Sequence, residues 1–241
     1  MPEGPSIVIL REETQRFVGA TVQRVAGNTQ EDVKQFSGRG ITAVKSWGKH
    51  YLILFGERAI RIHFMLFGSY RIDEPKASPP RLSLCTDRGD LHFYACSVKV
   101  VENPEKSYDW QADVMNPRWN PRAAMKKLKA VPEMEICDAL LDQEIFSGVG
   151  NIIKNEVLYR VRVHPESLTG KIPIAKLRSI VAEARTYSFE FLEWKKKFEL
   201  KKHWLAHTKK KCLRCDLPIY KKITGKKKRR SFFCTNCQKS Y

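Results

Sequence analysis

Four of the seven cysteines stand as Cys212-x2-Cys215 and Cys234-x2-Cys237, with eighteen residues between the pairs. Each Cys-x2-Cys turn directs two sulfurs at one point, so two such turns supply the four thiolates of a closed tetrahedral Zn²⁺ site. One structural zinc ion is expected, because four protein ligands leave no open position for a substrate. A module of about thirty residues also cannot bury enough apolar surface to fold without the metal. Free or disulfide-linked cysteines are the competing reading. Cys85, Cys96 and Cys137 lack such spacing and read as apolar fillers. At its other end the chain starts Met-Pro-Glu. A proline at position two favours removal of Met1, which would expose the secondary amine of Pro2. An α-amino group titrates near ~8, well below a lysine, so part of it is unprotonated and nucleophilic at neutral pH. Glu3 would put a carboxylate beside whatever that amine attacks. Many chains begin this way without any such chemistry, so the start alone admits both readings.

Charge says what these groups meet. Lys and Arg number 44 against 26 Asp and Glu, a formal net charge of +18. Residues 195–241 hold 17 of those cations and only two acids, Glu199 and Asp216. A polyanionic partner follows, nucleic acid first and an anionic membrane surface second. Phe198, Trp204, Phe232 and Phe233 are threaded through the basic tail, so it is more than a solvated lysine-rich arm. The run Lys226-Lys227-Lys228-Arg229-Arg230 between the cysteine pairs would sit on a hairpin able to meet phosphates. No apolar run approaches the roughly 18 residues of a membrane span, and the N-terminus lacks the basic start of a signal peptide. An intracellular, soluble protein is expected, cytoplasmic or nucleoid-associated in a bacterium.

The elements that must position these groups change character along the chain. Residues 3–18 suit a helix, with Pro5 in its first turn and Ile7, Leu10, Phe17 and Val18 on one side. From about 20 to 102, alternating apolar segments with Gly, Asp and Pro at the joints predict strands of a two-sheet sandwich or barrel. The proline-bearing stretch 103–121 has little periodicity and suggests a linker. Beyond it PRAAMKKLKAV, EICDALLDQEIF, NIIKNEVLYRV and a run from Ile174 to Phe198 read as helices. The expected class is α+β and multidomain. Residues 1–105 would form an N-terminal β-sandwich with its helix, 106–120 a linker, 121–207 a helical domain and 208–241 a zinc finger.

MPEGP at the start, the glycines of SGVGNIIKNEVLYRVRVHP opening a helix, and Arg229 five residues before Cys234 occur in that order. Together they resemble the formamidopyrimidine-DNA glycosylase and endonuclease VIII family over essentially the whole chain. The resemblance implies a β-sandwich, a helical domain with a helix-two-turn-helix motif and a zinc finger, with damaged double-stranded DNA as the partner of a monomer. It implies a bifunctional glycosylase and AP lyase of base excision repair, cutting the strand by β,δ-elimination. Pro2 would attack the sugar C1′ to form a Schiff base, and Glu3 would carry the proton to the ring oxygen. Lys49, in the strand SWGKHYL, would hold a phosphate and assist β-elimination. Asn151 would donate to a backbone phosphate beside helix-terminal amides. Arg229 would grip the phosphates flanking the lesion and assist δ-elimination, with Arg230 as a neighbouring rival. Met65, Leu66 and Phe67 match the segment inserted into the space left by the extruded nucleotide, and His63 would make a lesser phosphate contact. Without the resemblance, core strand is the better reading of HFMLFG.

The endonuclease VIII-like branch is the expected one. The stretch HFYACSVKV stands where the 8-oxoguanine enzymes carry an Arg-Arg-Phe turn. The run from Glu193 to Cys212 contains no glycine and is too short for their purine-covering loop. Oxidised pyrimidines are therefore the expected lesions, against a preference for 8-oxoguanine and formamidopyrimidine. Position six, a glutamate in the family, is Ser6. Met65 stands where a polar residue is common. The rival of another class is a non-catalytic DNA-binding zinc protein.

Overall fold

The computed structural model describes residues 2–241, so Met1 lies outside the described residues. The chain divides into two compact units, residues 1–109 and 110–241.

In the first unit, helix α1 (Gly4–Glu13) has Glu3 as its N-cap residue and a proline in its first turn, where a missing N–H costs nothing. The helix is shorter than the expected 3–18. The Thr14 hydroxyl takes the Leu10 carbonyl at 2.7 Å, and a 3₁₀ turn over Gln15–Phe17 follows, with Phe17 fully buried. The strands are β1 (Val22–Ala26), β2 (Ala43–Trp47), β3 (His50–Phe55), β4 (Arg58–His63), β5 (Ser69–Ile72), β6 (Leu82–Thr86), β7 (Gly89–Tyr94) and β8 (Ser97–Glu102). They form two antiparallel sheets ordered β1-β6-β7-β5 and β2-β3-β4-β8, the expected sandwich. Period-two alternation fills its interior: Tyr51, Ile53 and Phe55 from β3, Ile60 and Ile62 from β4, Leu82 and Leu84 from β6, Leu91 and Phe93 from β7, and Ile7 and Leu10 from α1. A short helix, α2 (Pro104–Ser107), ends the unit.

The second unit begins in the segment expected as a linker. Trp110, Ala112, Val114 and Met115 are buried there, and backbone bonds join Val114 to Ser147 and Ser147 to Ala112. The segment lacks periodicity because it packs as irregular chain. Helix α3 (Pro121–Lys129) is capped by the Asn120 side chain, which accepts from the amides of Arg122 and Ala123. The expected helix EICDALLDQEIF is only α4 (Ile136–Ala139) followed by turns. The Asp142 carboxylate accepts the Glu144 amide at 3.0 Å, and a new turn starts there. Those turns lead to α5 (Asn151–Val161), and after His164 the long helix α6 (Ile174–Lys196) packs against it. Strands β9 (Tyr220–Thr224) and β10 (Arg229–Phe233) then form the finger hairpin.

Candidate active site and nucleic-acid interface

In the first unit, Pro2 is half-buried and Glu3 is 1% exposed. Glu3 is held by its place at the head of α1, where its carbonyl accepts the Ser6 amide at 2.8 Å. Lys49 is not in a strand as expected. Trp47 pairs with His50, so Gly48-Lys49 is the two-residue turn joining β2 and β3. Gly48 has φ 52°, the positive value that the first position of such a hairpin turn demands. The turn lifts the half-buried Lys49 out of the pleat at the end of the hairpin.

Around it lies an aromatic and basic cluster. The His50 ring stands 5.4 Å from His63, 5.5 Å from Trp47 and 5.7 Å from Tyr108. Burial, then the Arg61 charge, the neighbouring titratable ring of His63 and the Lys49 charge, push the His50 pKa down to about 3. His63 is lowered too, by burial and by Lys49 and Arg61. Both rings are therefore neutral at pH 7, and the positive charge of the cluster rests on Lys49 and Arg61. His63 Nδ1 lies 3.0 Å from Met65 Sδ. Met65, Leu66 and Phe67 occupy the turn after β4, and Phe67 is 87% exposed. Phe64 alone of that run is core, at 3%. Core strand is thus not the state of residues 65–67.

In the second unit, Asn151 is the first residue of α5 after Gly150, at a helix N-terminus whose dipole favours anions. Its Oδ1 is buried and accepts no hydrogen bond among the described residues. Arg229 opens β10 directly opposite Thr224, half-buried, whereas Arg230 is exposed.

The four finger sulfurs all lie within 4.8 Å of one another. Cys212 is 3.3 Å from Cys215 and 3.7 Å from Cys237, and Cys215 is 3.3 Å from Cys234. Ligands at about 2.3 Å from a tetrahedral zinc would stand about 3.8 Å apart, whereas a disulfide needs about 2.0 Å. Burial and the sulfurs of Cys212 and Cys234 hold the Cys237 thiol at about 12, so four thiolates at this spacing need a dication between them. The residues fit zinc. The Tyr159 hydroxyl lies 3.2 Å from the Cys212 sulfur, and Arg214 donates to the Tyr159 carbonyl at 2.6 Å with its guanidinium 3.8 Å over the ring. These bonds join the finger to α5.

Three further residues of α5 tie the helix to the finger or to the segment 205–207 that leads into it. Lys154, Asn155 and Glu156 are consecutive and almost wholly buried. Lys154 Nζ donates to the Arg230 carbonyl at 3.1 Å and the Ser231 hydroxyl at 2.9 Å. The Asn155 side chain donates to the Arg230 carbonyl at 3.4 Å and accepts from the Phe232 amide at 3.1 Å. Glu156 accepts the amides of Leu205, Ala206 and His207 at 2.7–2.9 Å, while burial raises its pKa. Sequence reasoning missed these three, together with Asp138. The available signal was Lys-Asn-Glu set inside the apolar run Ile152-Ile153 and Val157-Leu158.

Residues 1–100 match the family model of the formamidopyrimidine-DNA glycosylase N-terminal domain, and residues 112–196 match that of the formamidopyrimidine-DNA glycosylase H2TH domain. The chain belongs to the formamidopyrimidine-DNA glycosylase and endonuclease VIII family. Among members of this family, Endonuclease 8-like 3 of Bos taurus is 28% identical over 230 residues, 91% of this chain and 38% of that protein. The chain thus spans well under half of that relative's length. Formamidopyrimidine-DNA glycosylase of Solibacter usitatus is 26% identical, covering 99% of this chain and 100% of its own. The fold matches Lactococcus lactis formamidopyrimidine-DNA glycosylase bound non-covalently to DNA containing an AP site, with TM-score 0.86, 20% identity, and 99% of this chain covered against 100% of that one. The same enzyme complexed with DNA containing an oxidized pyrimidine gives TM-score 0.85 at the same identity and coverage.

Proposed function

We propose that the chain is a DNA glycosylase and AP lyase of base excision repair whose nucleophile is the Pro2 amine. The observation that carries this reading is the Pro2-Glu3 start, with Glu3 buried at the head of α1, inside a chain matched by both domains of the family. With Met1 removed, the Pro2 lone pair attacks C1′ of a damaged nucleotide extruded from the duplex. The base departs with the glycosidic electrons and takes up the proton that the Pro2 nitrogen sheds on bonding to C1′, which returns a lone pair to that nitrogen. Glu3 protonates the sugar ring oxygen as the C1′–O4′ bond opens, leaving an iminium between Pro2 and C1′. Loss of a C2′ proton then expels the 3′ phosphate, and a second elimination expels the 5′ phosphate.

Lys49 neutralises a phosphate from its turn, and the neutral His50 and His63 add no competing charge beside it. Asn151 at the head of α5 holds the backbone, and Arg229 holds the phosphates flanking the lesion. Met65, Leu66 and Phe67 fill the vacated stack, for which their exposure suits them. Zn²⁺ held by Cys212, Cys215, Cys234 and Cys237 would close the finger and supply no chemistry to the reaction.

Oxidised pyrimidines are the favoured lesions, on the absent purine-covering loop. A preference for 8-oxoguanine and formamidopyrimidine is the second reading, favoured by the full-length match to the Solibacter enzyme. Incubation with thymine-glycol, 8-oxoguanine or abasic duplex and borohydride is expected to trap a covalent adduct that Pro2→Gly abolishes, strongest on the pyrimidine lesion. No adduct on any lesion would leave a non-catalytic DNA-binding zinc protein. Among the described residues no helix is long and apolar enough to cross a membrane.

A further inference from the structure

We infer that Asp138 and the Lys154-Asn155 pair are positioning residues for the finger arginine: they fix the tip and the open edge of the β9–β10 hairpin, and thereby the strand start that carries Arg229. The inference rests on the reading of Arg229 as a phosphate-gripping side chain.

The need for such a device follows from length and charge. Zinc fixes the hairpin at its base, where Cys234 follows β10. Arg229 lies five residues away, about 16 Å along an extended strand. A two-stranded hairpin is marginal by itself, and here its far end carries five consecutive cations, residues 226–230, that repel one another.

Both parts of that far end are held by α4 and α5. At the tip, the buried Asp138 carboxylate accepts the Lys226 amide at 2.5 Å and the Lys227 amide at 3.2 Å. Lys227 Nζ returns to the Leu141 carbonyl at 3.2 Å. The approach is close enough that a Cβ on Gly225, whose φ is 72°, would collide with the carboxylate. Along the edge, the Arg230 carbonyl and the Phe232 amide are the groups a third strand would meet. The Asn155 amide answers both, as such a strand would. Lys154 adds a second donor to the Arg230 carbonyl and one to Ser231, whose hydroxyl lies 2.6 Å from that of Thr224, the residue paired with Arg229. The backbone on each side of Arg229 is therefore fixed by side chains of the helices that frame Asn151. Two phosphate contacts far apart in sequence are thereby held by one helical frame.

The test uses the full zinc-loaded chain on abasic duplex under single-turnover conditions, with zinc content and borohydride trapping measured alongside. Asp138→Ala is expected to slow strand cleavage about 10- to 100-fold, the cost of a misplacement of about an ångström. Zinc content and adduct formation at Pro2 should stay unchanged. Asp138→Asn, which keeps one acceptor oxygen and guards against loss of the fold in the alanine variant, should recover part of that rate. In an Arg229→Ala background, Asp138→Ala should add less than about twofold, because the arginine through which it acts is gone. Equal cleavage by Asp138→Ala and the wild type, or losses that multiply in the double variant, would overturn the inference while leaving Arg229 in place. Wild-type cleavage by Arg229→Ala itself would overturn the underlying reading and the inference with it. Intact Pro2 trapping in that case would show that the glycosylase reading stands.

Discussion

Ile53 in β3 and Lys154 in α5 are both fully buried, and they show two ways of building an interior. Around Ile53 the sandwich alternates apolar residues inward along every strand, and two sheets plus one helix enclose enough of them to hold the unit by burial alone. Around Lys154 the second unit buries Asp138 and Asn155, which bond to the finger hairpin, Glu156, which bonds to residues 205–207 leading into the finger, and Ser231 of the finger, which bonds to Lys154. The finger has only a small apolar cluster, with Ile219 and Phe232 against Tyr159 and Ala206, so polar bonds and four sulfurs supplement it. Charge follows the same division. The first unit holds 15 Lys and Arg against 13 acids, the second 29 against 13. Apolar burial is non-directional and forgiving of small shifts, whereas a buried polar bond fixes direction and costs heavily when its partner is lost. The near-neutral unit offers a stable seat for the proposed amine. The basic unit needs direction, because its proposed task is to place cations against phosphates.

Chelation should separate the units most sharply. Stripping zinc is expected to abolish amide protection across β9 and β10 and in residues 205–207, and to leave β3 and β4 protected in hydrogen exchange. A finger that kept its protection would break the comparison, since its polar bonds would then suffice. Next come two substitutions read by the same method. Ile53→Ala should destabilise the sandwich by about 2–5 kcal/mol through lost burial and a cavity. Glu156→Ala should destabilise the second unit by about 3 kcal/mol, because it leaves one buried and two part-buried amides without an acceptor. A cost below about 1 kcal/mol at Glu156 would mean that the apolar core of that unit, with Phe146, Val157 and Phe191, holds it without these bonds.

The same contrast decides what the sequence reveals. The cluster of four finger cysteines, the sandwich strands and α6 are legible because spacing and periodicity encode them locally. Lys49 is misplaced by two residues of turn, since a Gly-Lys pair at a hairpin end reads as strand when its register partner is unknown. The helix over EICDALLDQEIF is overextended because Asp142 diverts the chain with its own carboxylate, a bond invisible to apolar periodicity. Asp138, Lys154, Asn155 and Glu156 escape notice for a further reason. Polar residues on a helix read as solvent-facing, and only the distant hairpin that reaches them makes them interior.

Smaller effects sharpen the comparison from the side of the sandwich. His50 has its folded pKa near 3, below the ordinary 6.5, so between these values the unfolded chain binds more protons than the folded one. Stability of the first unit should therefore fall as pH drops from about 6.5 towards 3, with a slope of up to about 1.4 kcal/mol per pH unit from this group. His50→Phe should flatten that slope in urea titrations; an unchanged slope would show that carboxylates alone set the acid limit.

The smallest stability change is expected at Phe67. Because it is 87% exposed, Phe67→Ala removes almost no burial and should shift unfolding by less than about 0.5 kcal/mol. Its effect belongs to DNA. Excision from a paired duplex, which requires the vacated stack to be filled, should slow, while cleavage of a single-stranded abasic site, which has no stack to fill, should proceed at the wild-type rate. A loss of more than about 1 kcal/mol in unfolding would make the turn a packed part of the sandwich. Equal slowing on both substrates would take the wedge role away from it.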